Sequence, residues 1–123
     1  MKKIFILASL LGIFCQLLSL TAVSAQQTNT KKSFAQWCQQ KNSVPTATKQ
    51  TIDSLLERAG TQNCQQADAK LSSLSELYLS DRQLTDVRPL ASLTNLKALF
   101  LNSNQISDVS PLAELIVAEI EIG

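Results

Sequence analysis

The sequence contains no histidine among its 123 residues. A Ser-His-Asp triad or a Cys-His pair is therefore impossible within the chain, because both need an imidazole as general base. Glycine is scarce as well, with residues only at positions 12, 60 and 123, so there is no glycine-rich phosphate loop. Paired carboxylates such as Glu119 and Glu121 have too little chain around them to build a pocket. The sequence indicates a protein that is not an enzyme and needs no cofactor.

The chain also lacks a clear excess of either charge, with 11 basic and 10 acidic residues. Removal of Lys2 and Lys3 with a signal peptide would leave nine basic residues, for a net charge of about −1. There is no basic stripe and no alternation of aromatic with basic residues. These absences argue against nucleic acid as a partner.

Residues 1–25 have the pattern of a secretory signal peptide. Lys2 and Lys3 give a positive start, Ile4 to Leu20 is largely apolar, and Val23-Ser24-Ala25 is a small-residue cleavage site. The alternative is an uncleaved anchor, which needs roughly 20 apolar residues, and only in that case do we expect a membrane contact. The pattern predicts an exported protein, located in the periplasm, at the cell envelope surface or outside the cell. Residues 26–32 are polar and predict a flexible leader.

Two cysteines, Cys38 and Cys64, remain after residue 25. An even number of cysteines in an exported chain suggests a disulfide. The closed loop would stabilise the fold by roughly 3–4 kcal/mol in the chain-entropy account. The alternative is a pair of buried thiols that never meet. A metal site is not supported, because two distant cysteines without histidine cannot complete a tetrahedral zinc shell.

Residues 33–73 show helical spacing. Ser33 and Gln36 fit a capping box, and the first helix follows with an aromatic face that includes Phe34 and Trp37. A second helix is predicted from about Ala47 to Ala59, with Thr46 as a possible cap and Gly60 as its stop. Its apolar stripe comprises Ile52, Leu55, Leu56 and Ala59, and a further stripe follows at Cys64, Ala67 and Leu71.

Two copies of a 22-residue unit follow, beginning at Leu74 and Leu96. We divide them at residues 74–95 and 96–116, the second one residue short because a partial unit at 117–123 begins early. LSELYLSDRQLTDVRPLASLTN aligns with LKALFLNSNQISDVSPLAELIV position by position. Such a unit cannot bury its apolar face alone and must stack on its copies. The first unit therefore needs a cover on its outer edge, and residues 33–73 are best interpreted as a helical amino-terminal cap. Trp37 is assigned to that cover, with ligand binding as the alternative.

Each unit begins with a short predicted strand, Glu76 to Ser80 and then Ala98 to Asn102. Alternation sends the intervening leucines inward and leaves an exposed strand face. This strand face comprises Glu76, Tyr78, Ser80, Ala98, Phe100 and Asn102. Parallel stacking about 4.8 Å apart would place Tyr78 beside Phe100. Asn104 is expected to pair with the backbone where the chain leaves the strand, whereas the first copy has Arg82 at this position.

Asp86 and Asp108 recur in the same local sequence, 22 residues apart. Catalytic carboxylates are one interpretation, but the repetition favours capping of the following turn. Pro89 and Pro111 predict tight or 3₁₀ turns on the opposite side of the unit.

Residues 74–115 resemble the leucine-rich repeats of internalin-like bacterial surface proteins, most clearly in LKALFLNSNQISDVSPLAEL. The resemblance implies an α/β repeat fold, in which a helical cap is followed by a short, curved solenoid with parallel strands. It also implies a non-catalytic module whose strand face binds a protein or another macromolecule.

The tail, residues 117–123, reproduces part of the repeat spacing at Val117, Ile120 and Ile122. It either forms a third strand with Glu119 and Glu121 pointing outward, or is unrelated sequence after an interrupted reading frame. At least three units are normally needed for a stable array. We therefore keep as an alternative a truncated remnant of a longer array that no longer binds. An open edge ending in Ile120 and Ile122 also predicts self-association.

Overall fold

Three helices precede the repeats in the computed structural model, which describes residues 31–115 and 119–123. They are α1 (Phe34–Gln39), α2 (Thr46–Ala59) and α3 (Cys64–Ser72). Within the described residues, no helix has both the length and the apolar character needed to cross a membrane. The predicted signal peptide and nearly all of the predicted leader lie outside the described residues, so both stay predictions.

The ends of the first two helices follow from their flanking residues. The predicted capping box is present: Ser33 Oγ accepts from the Gln36 N–H at 3.3 Å, and Gln36 Oε1 accepts from the Ser33 N–H at 2.8 Å. The prediction of Thr46 as a cap is wrong, because Pro45 occupies the cap position and Thr46 is the first helical residue. Gly60 ends α2 in the left-handed conformation, at φ 71°, as predicted.

A disulfide joins Cys38 on α1 to Cys64, the first residue of α3. The two Cα atoms are 5.6 Å apart. The prediction of a disulfide is confirmed, and the alternative of two separate thiols is wrong. The bridge closes a loop across a sequence separation of 26 residues and holds α1 against the helix that leads into the repeats.

The repeats form a parallel sheet of three short strands in the order β1 (Glu76–Tyr78), β2 (Ala98–Phe100) and β3 (Glu119–Glu121). Glu119–Glu121 thus forms the third strand that was one interpretation of the tail, whereas Val117 lies outside the described residues. The first two strands are shorter than predicted, because the backbone turns soon after them through left-handed residues at Asp81 and Ser103. The predicted tight turns are 3₁₀ helices at Arg88–Leu90 and Ser110–Leu112.

The helices and the repeats share one hydrophobic core. Phe34 from α1 and the α2 stripe are buried in the same cluster as the inward leucines of the strands. The fully buried side chains include Phe34, Ile52, Leu55, Leu56, Leu77, Leu79, Leu84, Leu90 and Leu99, each at 0% exposure. This arrangement is an α/β repeat whose first unit shares its core with three helices.

Candidate functional site

The strand face carries a stacked aromatic pair. The rings of Tyr78 and Phe100 are 4.5 Å apart between centroids and 4° from parallel. The parallel register places the two residues directly opposite each other on neighbouring strands. Tyr78 is 50% exposed, one of the four exposed large hydrophobic residues in the part of the chain described. The predicted adjacency of Tyr78 and Phe100 is confirmed.

The other four strand-face residues lie before and after this pair along the strands. Glu76 lies beside Ala98 in the register, and the Tyr78 hydroxyl donates to Glu76 Oε2 at 2.7 Å. That hydrogen bond to a carboxylate raises the pKa of Tyr78 above its ordinary value, with lesser contributions from burial and from the charge of Glu76. On the other side, Ser80 Oγ lies 3.4 Å from Asn102 Oδ1. The structure thus brings all six predicted residues onto one side of the sheet.

Asn104 fixes the backbone where each strand ends. Its amide nitrogen donates to the Leu79 and Leu101 carbonyls, both at 2.8 Å. Its amide oxygen accepts from the Arg82 and Leu84 N–H groups, both at 3.0 Å. One side chain therefore joins the two repeats through four backbone groups. The predicted pairing of Asn104 with the backbone is confirmed. The position of the strand face depends on these four hydrogen bonds.

The recurring aspartates cap the turns. Asp86 Oδ1 accepts from the Arg88 N–H and Asp108 Oδ1 accepts from the Ser110 N–H, both at 3.0 Å. Burial raises the pKa of Asp86, but hydrogen bonds from the Arg88 side chain, Thr48 and the Arg88 backbone outweigh it and lower the pKa overall. The hydrogen bonds from Ser110 likewise lower the pKa of Asp108. Both carboxylates thus stay ionised and structural, as the capping interpretation predicted.

Trp37 is half-buried against the core, and two cations lie near its ring. Lys32 Nζ lies 4.4 Å from its ring centroid, and the Arg88 guanidinium carbon lies 5.8 Å from it. Such cation–π contacts stabilise local packing by about 0.5–1 kcal/mol each at exposed sites. Trp37 therefore links the helices to the first 3₁₀ turn, which supports its assignment to the cover.

Sequence reasoning missed the polar contacts between α2 and the first repeat. Thr48 donates to Asp86 Oδ2 at 2.6 Å, Thr51 donates to the Asp86 carbonyl, and Gln50 donates to the Arg82 carbonyl at 2.9 Å. No sequence signal marks these pairs, since each joins residues more than 30 positions apart. They fix the rotation of α2 over the repeat and thereby the edge of the sheet next to β1.

Two acidic residues extend the candidate surface beyond the six predicted positions. Glu119 lies opposite Ala98 in the register, and Glu121 lies opposite Phe100. Both are exposed. Their outward alternation was visible in the sequence, but their place beside the aromatic pair depends on the register of β3.

The described residues include no group of three or more His, Cys, Asp or Glu side chains placed to hold a metal ion. Two open surface depressions lie on the described part of the chain, one over the exposed side of α2 and one beside Ile120 and Ile122. The strand face is the surface where exposed aromatic and charged groups converge.

Residues 72–114 match the family model of leucine-rich repeats, in two copies. No curated protein and no solved structure matches the chain. The match includes the aromatic pair, Asn104, both aspartates and both 3₁₀ turns. Residues 72–114 are therefore similar to two leucine-rich repeats, and the three helices that precede them share their core.

Proposed function

We propose that this chain is a non-catalytic protein-interaction module that binds its partner through the strand face. Leucine-rich repeat domains generally mediate protein–protein interactions and are typically not enzymes, which supports both parts of the proposal. The internalin-like pattern of LKALFLNSNQISDVSPLAEL favours a solenoid of the kind found in bacterial surface proteins.

The observation that carries the proposal is the exposed, stacked pair of Tyr78 and Phe100. Rigid aromatic side chains are enriched among the residues that dominate binding energies. Cross-strand packing is the alternative explanation for such a pair. Packing alone, however, does not require an aromatic ring to remain 50% exposed, as Tyr78 does.

We also propose that the protein is exported. The signal-like pattern of residues 1–25 and the disulfide between Cys38 and Cys64 both support a location outside the cytoplasm. The destinations consistent with this pattern are the periplasm, the cell envelope surface and the medium.

Removal of the aromatic pair tests the use of this face. We expect the variant Tyr78→Ala, Phe100→Ala to weaken binding of a partner captured on the immobilised protein by about 30-fold or more, because two central aromatics typically contribute over 2 kcal/mol together. The measurement is the dissociation constant by surface plasmon resonance. Circular dichroism would establish that the variant is folded.

A matched control replaces two exposed residues of the helices, Gln39→Ala and Gln65→Ala. It removes side-chain area without touching the strand face, so we expect its dissociation constant to equal that of the unmodified protein. A folded aromatic variant that binds as tightly as this control would refute the use of the strand face.

We further propose that the protein self-associates through the edge of β3. Val109, Ile120 and Ile122 are 45%, 37% and 42% exposed, whereas Val87, which matches Val109 in the first repeat, is 1% exposed. The three exposed residues line one open apolar depression next to the strand. A second copy of the chain that adds a strand there would bury this surface.

Charge placed on the β3 edge should prevent this association. We expect Ile120→Lys, Ile122→Lys to shift the molar mass toward the monomer, because an ammonium group cannot be buried unpaired in the apolar contact. The measurement is light scattering over a concentration series. The control Gln39→Lys, Gln65→Lys adds the same charge to the helices. An oligomer that persists in the edge variant would remove the β3 edge from consideration.

A further inference from the structure

The strand face combines its aromatic pair with carboxylates on both sides. In the first row, Glu76, Ala98 and Glu119 lie side by side on the three strands. In the second row, Tyr78, Phe100 and Glu121 lie side by side. All three glutamates are exposed, and neither row contains a cationic residue. The face of the three described strands is therefore aromatic at its centre and negatively charged around it.

Ala98 creates a notch in the first row. Neighbouring parallel strands are about 4.8 Å apart, so the backbones of Glu76 and Glu119 are roughly 10 Å apart. The short side chain of Ala98 lies between them. The Tyr78 hydroxyl holds Glu76 in place at 2.7 Å, while a carboxylate oxygen of Glu76 can still accept a further hydrogen bond. The notch is thus bounded by two carboxylates, a separation that a guanidinium or ammonium group can span.

The second row provides an aromatic surface for a guanidinium or ammonium group. The centroid distance of 4.5 Å between the rings nearly equals the strand spacing, so the stack runs across the strands. One face of Phe100 is covered by Tyr78, and the other is on the side of β3, where Glu121 lies in register. A cation between Phe100 and Glu121 would gain both a cation–π contact and an ion pair.

From these two rows we propose that the strand face binds a protein segment that presents arginine or lysine side chains. The inference rests on the proposed function and adds the chemistry of the partner. The same carboxylates repel phosphate groups, so anionic membranes and nucleic acids are disfavoured as occupants. Two cations border the face, Lys97 just before β2 and Arg58 at the end of α2, but both lie outside the strand-face rows.

The test is a selection from a displayed library of short random peptides on the full protein at low ionic strength. Peptides that also bind the variant Tyr78→Ala, Phe100→Ala are discarded, which leaves those specific to the strand face. We expect the remaining peptides to be enriched in arginine and lysine relative to the unselected library. We also expect their binding to weaken as salt is raised, because exposed ion pairs are screened.

Two charge-neutralising variants then locate the recognition. The variant Glu119→Gln, Glu121→Gln should weaken binding of the enriched peptides by about 3- to 10-fold, the effect of losing two exposed ion pairs. The control Glu57→Gln, Asp68→Asn removes the same charge from the helices and should change binding by less than about 2-fold. Side-chain size is nearly preserved in both variants. Because Glu57 pairs with Arg82 at 2.8 Å, circular dichroism of each variant must first establish that it is folded.

The outcomes separate this inference from the proposed function. Peptides that need Tyr78 and Phe100 but show no enrichment in basic residues would overturn the inference and leave the proposed function intact. Basic peptides that respond equally to the two charge-neutralising variants would overturn it as well, because the attraction would then be general. A selection that yields no peptide specific to the strand face would contradict both.

Discussion

Replacing Asn104 with alanine should destabilise the protein more than any other single change of a polar residue. The substitution removes two donors and one shared acceptor from four backbone groups at the junction of the repeats. Each buried backbone group left without a partner costs about 1–3 kcal/mol. We therefore expect a loss of about 3 kcal/mol or more, which for a domain of this size lowers Tm by roughly 12–24 °C. Thermal denaturation followed by circular dichroism measures it.

Two further variants separate the role of Asn104 from a general effect of removing an amide. Asn95→Ala breaks a single exposed hydrogen bond to the Ser72 carbonyl, at 2.8 Å, and should cost about 1 kcal/mol or less. Asn104→Asp retains the acceptor but turns a carboxylate oxygen toward the Leu79 and Leu101 carbonyls in place of the two donors, so its Tm should stay close to that of Asn104→Ala. Equal Tm values for Asn104→Ala and Asn95→Ala would show that the hydrogen bonds of Asn104 do not hold the repeats together.

Loss of the disulfide should have an effect of similar size. Cleavage of the bond between Cys38 and Cys64 frees the unfolded chain across a separation of 26 residues, for an expected loss of about 3–4 kcal/mol. Because the bond ties α1 to α3, the helices would then cover the first repeat less firmly. The measurement is the midpoint of urea unfolding for oxidised and reduced protein.

The reduced protein has nearly the same side chains as the oxidised one, so this comparison isolates the covalent link. The variant Cys38→Ala, Cys64→Ala under oxidising conditions gives an independent check and should unfold near the midpoint of the reduced protein. Coincident unfolding curves before and after reduction would mean that packing of Phe34 and the α2 stripe alone holds the helices in place.

Sequence reasoning predicted the parts of the fold that depend on periodicity. The 22-residue spacing led to the parallel strands and the inward leucines, and the helical spacing of Ile52, Leu55 and Leu56 led to the buried face of α2. Local signals predicted helix ends correctly where the backbone conformation favours one residue type. Gly60, at φ 71° after α2, is an example, because glycine adopts the left-handed conformation without strain. These features are repeated or conformationally restricted, so they can be recognised within one sequence.

The features that were missed depend on long-range geometry or on unusual backbone conformations. Asp81, Gln83 and Ser103 adopt left-handed conformations without being glycine, so they shorten strands that alternation alone would extend. The contacts of Thr48 and Thr51 with Asp86 join distant segments and leave no periodic trace.

Part of the candidate site was predictable because it also follows from periodicity. The six strand-face residues followed from alternation, and the pairing of Tyr78 with Phe100 followed from the repeat period. Of the three carboxylates around the pair, Glu76 was among the six, but Glu119 and Glu121 could be placed there only from the register of β3, which sets them beside Ala98 and Phe100. A one-residue shift in that register would turn both glutamates to the other side of the sheet.

The most direct test of the proposed binding surface is photo-cross-linking in the producing cell. A benzophenone amino acid replaces Phe100 on the strand face in one strain and the exposed Gln65 of α3 in another. The account predicts a cross-linked partner protein of defined mass from position 100 and not from position 65. Equal cross-linking from both positions, or a partner captured only from position 65, would contradict binding through the strand face.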